Sequence, residues 1–167
     1  MEKIKGKVWI FGDHINTDQI ISTKYMLLNS KQEMSKYAFE SIDKDFSKSF
    51  QEGDIVVGGV NFGCGSAREQ APEVLKELKV GAIIASSFNM TFYRNAINLG
   101  IPAIISIDFS KHVKKGDLIS VDIVNGNISN LDTCQSYHIE PFPQVIREIL
   151  DCSGLVNYYF KKRKEIV

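Results

Sequence analysis

Ser66 and Arg68 follow a Gly-x-Gly turn, Gly63-Cys64-Gly65, within the stretch Asn61–Leu78, NFGCGSAREQAPEVLKEL. Gly63 and Gly65 open backbone angles that a side chain disfavours, so the amides of Cys64, Ser66, Ala67 and Arg68 are free to turn toward one point. Such a point suits an anion, and a hydroxyl beside a two-pronged guanidinium suits a carboxylate. The residues up to Leu78 read as a helix entered directly from the turn, whose unpaired first N–H groups carry about half a positive charge. A Walker loop is excluded, because it needs four residues between its glycines and then Gly-Lys-Ser/Thr. A dinucleotide fingerprint is excluded too, because Arg68 stands where its third glycine belongs. A purely structural alternative also exists for Arg68, in capping the turn that holds Glu69 and Glu73.

A second candidate is the loop GDHINTDQIIS, residues 12–22. Asp13, Asn16, Thr17 and Asp18 are turn and cap formers that often satisfy only their own backbone. Two carboxylates beside His14 in one loop also suit proton transfer or substrate contact. Metal chemistry finds no support: Cys64, Cys134 and Cys152 are odd in number and widely spaced, and His14, His112 and His138 show no ligand spacing. Twenty basic and twenty acidic side chains cancel, which argues against nucleic acid or a membrane surface as a partner. The basic run Lys161–Lys164 reads as a solvated tail. The N-terminus lacks a signal-peptide core and no window reaches the ~18 apolar residues of a membrane span, so a cytoplasmic protein is expected.

The chain of 167 residues is long enough to bury one core without disulfides. Strands are expected at Lys7–Phe11, Ile55–Val60, Gly81–Ser86 and Ala103–Ile107. Helices are expected at Lys31–Ile42, after the glycine turn, and at Met90–Leu99, with Gly100 as a stop and Pro102 beyond it. Lys44–Gly53 reads as a polar loop. This alternation predicts a parallel α/β layer. From Asp108 the pattern changes to period two, with a turn at Asn125-Gly126 and no helical signal, which predicts antiparallel hairpins. Gln144–Ser153 closes as an amphipathic helix capped by Gly154, and the residues from Asn157 extend it. The fold class is α/β: one unit, residues 1–167, that mixes a small β-barrel-like sheet with a parallel α/β layer.

Taken together, GDHINTDQII, NFGCGSAREQAP and SFNMTFYRNAINLGIP resemble the three signature stretches of 3-isopropylmalate dehydratase small subunits, the swivel-domain part of the aconitase superfamily. The resemblance runs from about Gly6 to about Gly154. It implies a swivelling β/β/α domain that pairs with a large subunit holding an iron–sulfur (4Fe-4S) cluster, this chain binding none itself. It also implies Ser66 as catalytic base, Arg68 as the clamp on a substrate carboxylate and Asp18 as an active-site acid. Thr17, Gly65 and Ala67 would complete the substrate contacts, although Ala67 stands where many members carry a second serine.

In that family the loop after the aspartate motif contacts the variable group of the substrate. Here it reads Tyr25-Met26-Leu27-Leu28, with no cation. An apolar loop accepts an isopropyl group and penalises a distal carboxylate by several kcal/mol. Leu27 and Leu28 are therefore expected to select an alkylmalate, isopropylmalate before homocitrate or citrate. Dehydration of 2,3-dimethylmalate, or a carboxylate-binding module without turnover, are the rival readings.

Overall fold

The structure is a computed structural model that describes residues 3–166. In chain order the elements are β1 (Ile4–Ile10), α1 (Thr17–Ile20), a 3-10 turn (Thr23–Tyr25), α2 (Lys31–Ser35), α3 (Phe46–Ser49), β2 (Ile55–Gly58) and α4 (Gln70–Glu77). There follow β3 (Ala82–Ala85), α5 (Met90–Asn98), β4 (Ala103–Ile105), α6 (Ile107–His112), β5 (Leu118–Asp122), β6 (Asn127–Asn130), β7 (Ser136–His138), α7 (Gln144–Asp151) and α8 (Leu155–Ile166). Among the described residues no helix is long and apolar enough to cross a membrane.

Seven strands form one sheet in the order β4-β3-β2-β1-β5-β6-β7. The first four run parallel and the last three antiparallel, with β1 joining the halves by pairing parallel to β2 and antiparallel to β5. The two expected textures thus share one sheet, which curls into a half-barrel. Every residue of β2 (IVVG) and β3 (AIIA) is buried, as continuous apolar runs in a covered parallel sheet should be. Near the start of β2, the buried Asp54 carboxylate accepts hydrogen bonds from the Lys7 amide (3.0 Å), the Trp9 indole (2.9 Å) and the Gln51 amide (3.0 Å). Its donors offset much of the cost of burying a polar group.

Several expected elements differ from those observed. The helix expected over Lys31–Ile42 ends at Ser35, because Phe39 adopts φ 56° and donates its amide to Ile20 O at 2.9 Å. That tertiary bond, and a ring stacked 4.0 Å from Phe11, outweigh helical spacing. Lys44–Gly53 is no polar loop. It contains α3, whose Phe46 is fully buried against Trp9, Phe11, Phe39 and Phe50. The region after Asp108 begins inside a helix, α6, rather than in a hairpin, and the fourth strand stops at Ile105. Residues 17–20, expected as loop, form the single turn α1.

Phe46 is the hub of this aromatic cluster. Phe46→Ala is expected to lower stability by about 3–5 kcal/mol. Urea unfolding followed by tryptophan fluorescence checks this, with the midpoint falling and the slope unchanged.

Candidate active site

The three motif stretches leave the carboxyl ends of β1, β2 and β3, three adjacent parallel strands, where open α/β sheets place their ligands. Beyond β1 and β2 the chain goes on pairing. The His14 amide donates to Val60 O at 2.7 Å, the Gly63 and Cys64 amides to Ile15 O at 2.7 and 3.2 Å, and the Thr17 amide to Cys64 O at 2.9 Å. Asp13 accepts the Val60 amide at 2.7 Å. On the other side the Phe62 amide donates to Ser87 O and the Asn89 amide to Phe62 O, both at 2.9 Å. The loop after β2 is therefore clamped between the other two.

Glycine is required for that closeness. A Cβ on Gly59 would lie 1.9 Å from Asp13 Oδ1, and one on Gly63, at φ 76°, would lie 2.2 Å from Phe92 Cγ. Asn16 then starts α1 with a capping box, its side chain accepting the Gln19 amide and its own amide donating to Gln19 Oε1, each at 2.9 Å. This fixes the next two residues. Thr17 is buried and its hydroxyl donates to Ser66 O at 2.9 Å. Asp18 points outward and pairs with the Arg68 guanidinium, while Thr23 Oγ1 donates to the same Asp18 oxygen at 2.9 Å.

Arg68 does not cap the turn of Glu69 and Glu73, since Glu73 takes Lys31 instead. Hydrogen bonding from Arg68 first, and from Thr23 second, holds the Asp18 carboxyl below its ordinary range. Ser66 and Ala67 are exposed beside this pair.

Two details of the expected cradle change. The Cys64 amide is consumed by Ile15 O and does not face the site. The helix α4 begins at Gln70, so the amides of Ser66, Ala67 and Arg68 belong to a loop rather than to a helix N-terminus. Among the described residues the amides of Gly65, Ser66, Ala67 and Arg68 have no acceptor within the chain. Gly65, at φ 89°, lets the loop turn there over Asn16 and Thr17.

The apolar turn is joined to the pair through Thr23. Leu27 is 92% exposed, whereas Leu28 packs partly buried against the core. Thr23 was not anticipated, and nothing in the sequence pattern marks it. Among the described residues no group of three His, Cys, Asp or Glu side chains converges to hold a metal. Cys64 lies in the glycine loop, Cys134 between β6 and β7, and Cys152 at the end of α7. This chain's residues do not fit an iron–sulfur cluster.

The profile of the aconitase C-terminal domain matches residues 11–112, the span that carries all three loops. The 3-isopropylmalate dehydratase small subunit of Methanosarcina mazei is 46% identical over 155 residues, covering 93% of this chain and 95% of that one. The chain belongs to the 3-isopropylmalate dehydratase small-subunit family. A crystal structure of 3-isopropylmalate dehydratase from Methanocaldococcus jannaschii agrees, with a TM-score of 0.91 at 41% identity over 99% of this chain and 97% of that chain. A relative from the same organism, 42% identical over 97% of this chain and 96% of its own length, is an isopropylmalate/citramalate isomerase small subunit.

In this member of the dehydratase small-subunit family the Asp18–Arg68 pair is open to titration. The folded-state pKa of Asp18 is depressed, so the stability it adds is fully present above the ordinary carboxylate value of ~3.9 and fades as pH falls through the depressed value. Carboxyl-carbon NMR should show Asp18 titrating below the ordinary range, and Arg68→Gln should return it toward that range. An unchanged Asp18 titration in Arg68→Gln would break the pairing as described.

Proposed function

We propose that this chain is the small subunit of a cytoplasmic 3-isopropylmalate dehydratase, a hydro-lyase subunit of leucine biosynthesis that works as a single swivel domain over a large subunit's active site. One observation carries the reading. In the Asp18–Arg68 pair, Arg68 is preceded in the chain by an exposed Ser66 and a run of loop amides without acceptors, and Asp18 also holds Thr23, at the start of the turn that carries an uncovered Leu27.

Arg68 has five N–H donors, and Asp18 engages the guanidinium at one nitrogen, leaving others for a substrate carboxylate. The ion pair keeps the cation aimed before substrate arrives. The amides of Gly65 to Arg68 add neutral donors for the charge that builds on that carboxylate as the adjacent C–H bond breaks. Ser66 Oγ takes the proton, and the C–H electron pair becomes the new carbon–carbon double bond as hydroxide leaves the neighbouring carbon. A serine hydroxyl is a poor base unless its alkoxide is accessible near neutrality, and Arg68 with the loop amides stabilises that alkoxide. Re-addition of water in the opposite sense completes the isomerisation.

None of the residues given a role above serves the departing hydroxide. The iron–sulfur cluster implied by the family resemblance is assigned in this proposal to the large subunit. Thr17 acts through its bond to Ser66 O, which holds the serine backbone in place. Leu27, with Leu28 behind it, forms one wall for the alkyl group, and a third carboxylate against it would lose hydration worth several kcal/mol without a partner.

Reconstitution with a large subunit tests the assignment. Ser66→Ala is expected to lower kcat by ~10²–10⁴ while the two chains still associate, and Arg68→Lys to weaken kcat/KM through the lost two-pronged contact. A folded, associated wild-type pair with no activity on isopropylmalate, dimethylmalate or homocitrate would refute the proposal. Separately, Leu27→Arg should move preference toward a tricarboxylate substrate, and unchanged kcat/KM for the branched substrate would remove Leu27 from the selectivity wall.

A further inference from the structure

The turn that presents Leu27 is tied at two points before that residue by side chains the mechanism above leaves unused. At its start Thr23 Oγ1 shares Asp18 Oδ1 with Arg68. Two residues on, the Tyr25 hydroxyl donates to Glu40 Oε2, and the Tyr25 ring stacks on Tyr37 with centroids 3.9 Å apart and an interplanar angle of 11°. Lys24 Nζ closes the group, 3.1 Å from Glu40 Oε2 and 4.5 Å from the centre of the Tyr25 ring.

The backbone just after these ties makes only local bonds, Met26 N–H to Thr23 O and Leu28 N–H to Tyr25 O, each at 3.1 Å. Leu27 itself is 92% exposed. Leu28 beside it is partly buried against the core, so Leu27 is placed by Leu28 on one side and by the tied Tyr25 on the other.

We propose that Glu40 is a specificity-determining positioning residue. Through Tyr25 it sets where Leu27 stands relative to the Arg68 clamp, and so how large an alkyl group the site admits. The inference rests on the proposed function above and adds a residue that no motif contains. Tyr25 first, then Lys24, hold the Glu40 carboxyl below its ordinary range, so it remains an acceptor near neutrality. Because the group is open to water, removing it moves the turn more than it weakens the fold.

The test uses the reconstituted pair with Tyr25→Phe, Glu40→Ala and Glu40→Gln, and compares isopropylmalate with a methyl-substituted malate. The kcat/KM ratio, isopropyl over methyl, is expected to fall about tenfold in Tyr25→Phe and Glu40→Ala, through KM for the larger substrate, with kcat on the smaller one kept within about twofold. Glu40→Gln keeps an acceptor for the tyrosyl hydroxyl and should restore most of the ratio. The double variant Tyr25→Phe/Glu40→Ala should fall no further than the worse single. Amide exchange at Met26 and Leu28 should quicken about tenfold in the two disruptive variants, a readout independent of turnover.

An unchanged ratio in an active enzyme, or equal loss of kcat on both substrates, overturns the inference and leaves the functional assignment standing. Unchanged exchange at Met26 and Leu28 overturns it as well. A wild-type pair with no alkylmalate turnover overturns both.

Discussion

The site depends on a ladder of backbone bonds that continues after the strands have stopped. β1 and β2 end at Ile10 and Gly58, yet the chains beyond them stay paired from Gly12–Gly59 to Thr17–Cys64, and the chain after β3 joins from the other side at Phe62. Loops at the carboxyl end of a parallel sheet are usually its most mobile parts. Here each loop satisfies its neighbour's amides, so shifting one strands the polar groups of the next. Gly59 and Gly63 pay for this closeness in backbone freedom, and any side chain at either would push the loops apart.

On this platform the Asp18–Arg68 ion pair has a positional rather than a stabilising role. Asp18 is half-exposed, and pairs open to water add little to folding. What the pair does is remove rotamer freedom from a long side chain before a ligand arrives, so that less entropy is lost on binding. Thr23 helps by donating to the same Asp18 oxygen. Under the proposed mechanism a substrate carboxylate meets a cation already aimed, and the shift in Asp18 titration is the trace left by that arrangement.

Much of this was legible in the sequence. Buried strands announce themselves as continuous apolar runs, so the sheet's parallel half could be read directly from IVVG and AIIA, and Asn125-Gly126 marked the β5–β6 turn. The family resemblance implies a shared site for Ser66, Arg68 and Asp18, and the fold brings the last two into contact and holds Ser66 O against Thr17. The misses share a cause. Phe39 and Phe46 sit among charged and polar neighbours, and their burial is decided by partners distant in sequence, Phe11 and Trp9, which local periodicity does not register. The amide of Cys64 was misjudged for the same reason: glycines on both sides allow it to face the site, but Ile15 O, from another loop, claims it. Thr23, Tyr37 and Glu40 belong to no motif, because their roles come from contacts with Asp18 and Tyr25.

The exposure of the site is itself informative about how catalysis would proceed. Proton abstraction beside a carboxylate needs donors that are not outcompeted by water, yet Ser66 and Ala67 are exposed and Leu27 is almost wholly so. A leucine in that state contributes no selectivity alone, because an alkyl group laid against a single wet side chain buries little area. Under the proposed mechanism, proton abstraction by Ser66 and discrimination by Leu27 both require a second surface that closes over them and expels water. On that view the small subunit supplies fixed donors and one wall. Rate and substrate choice then emerge when a partner supplies the opposite wall, which makes the placement of the turn by Tyr25 and Glu40 a matter of fit between two chains.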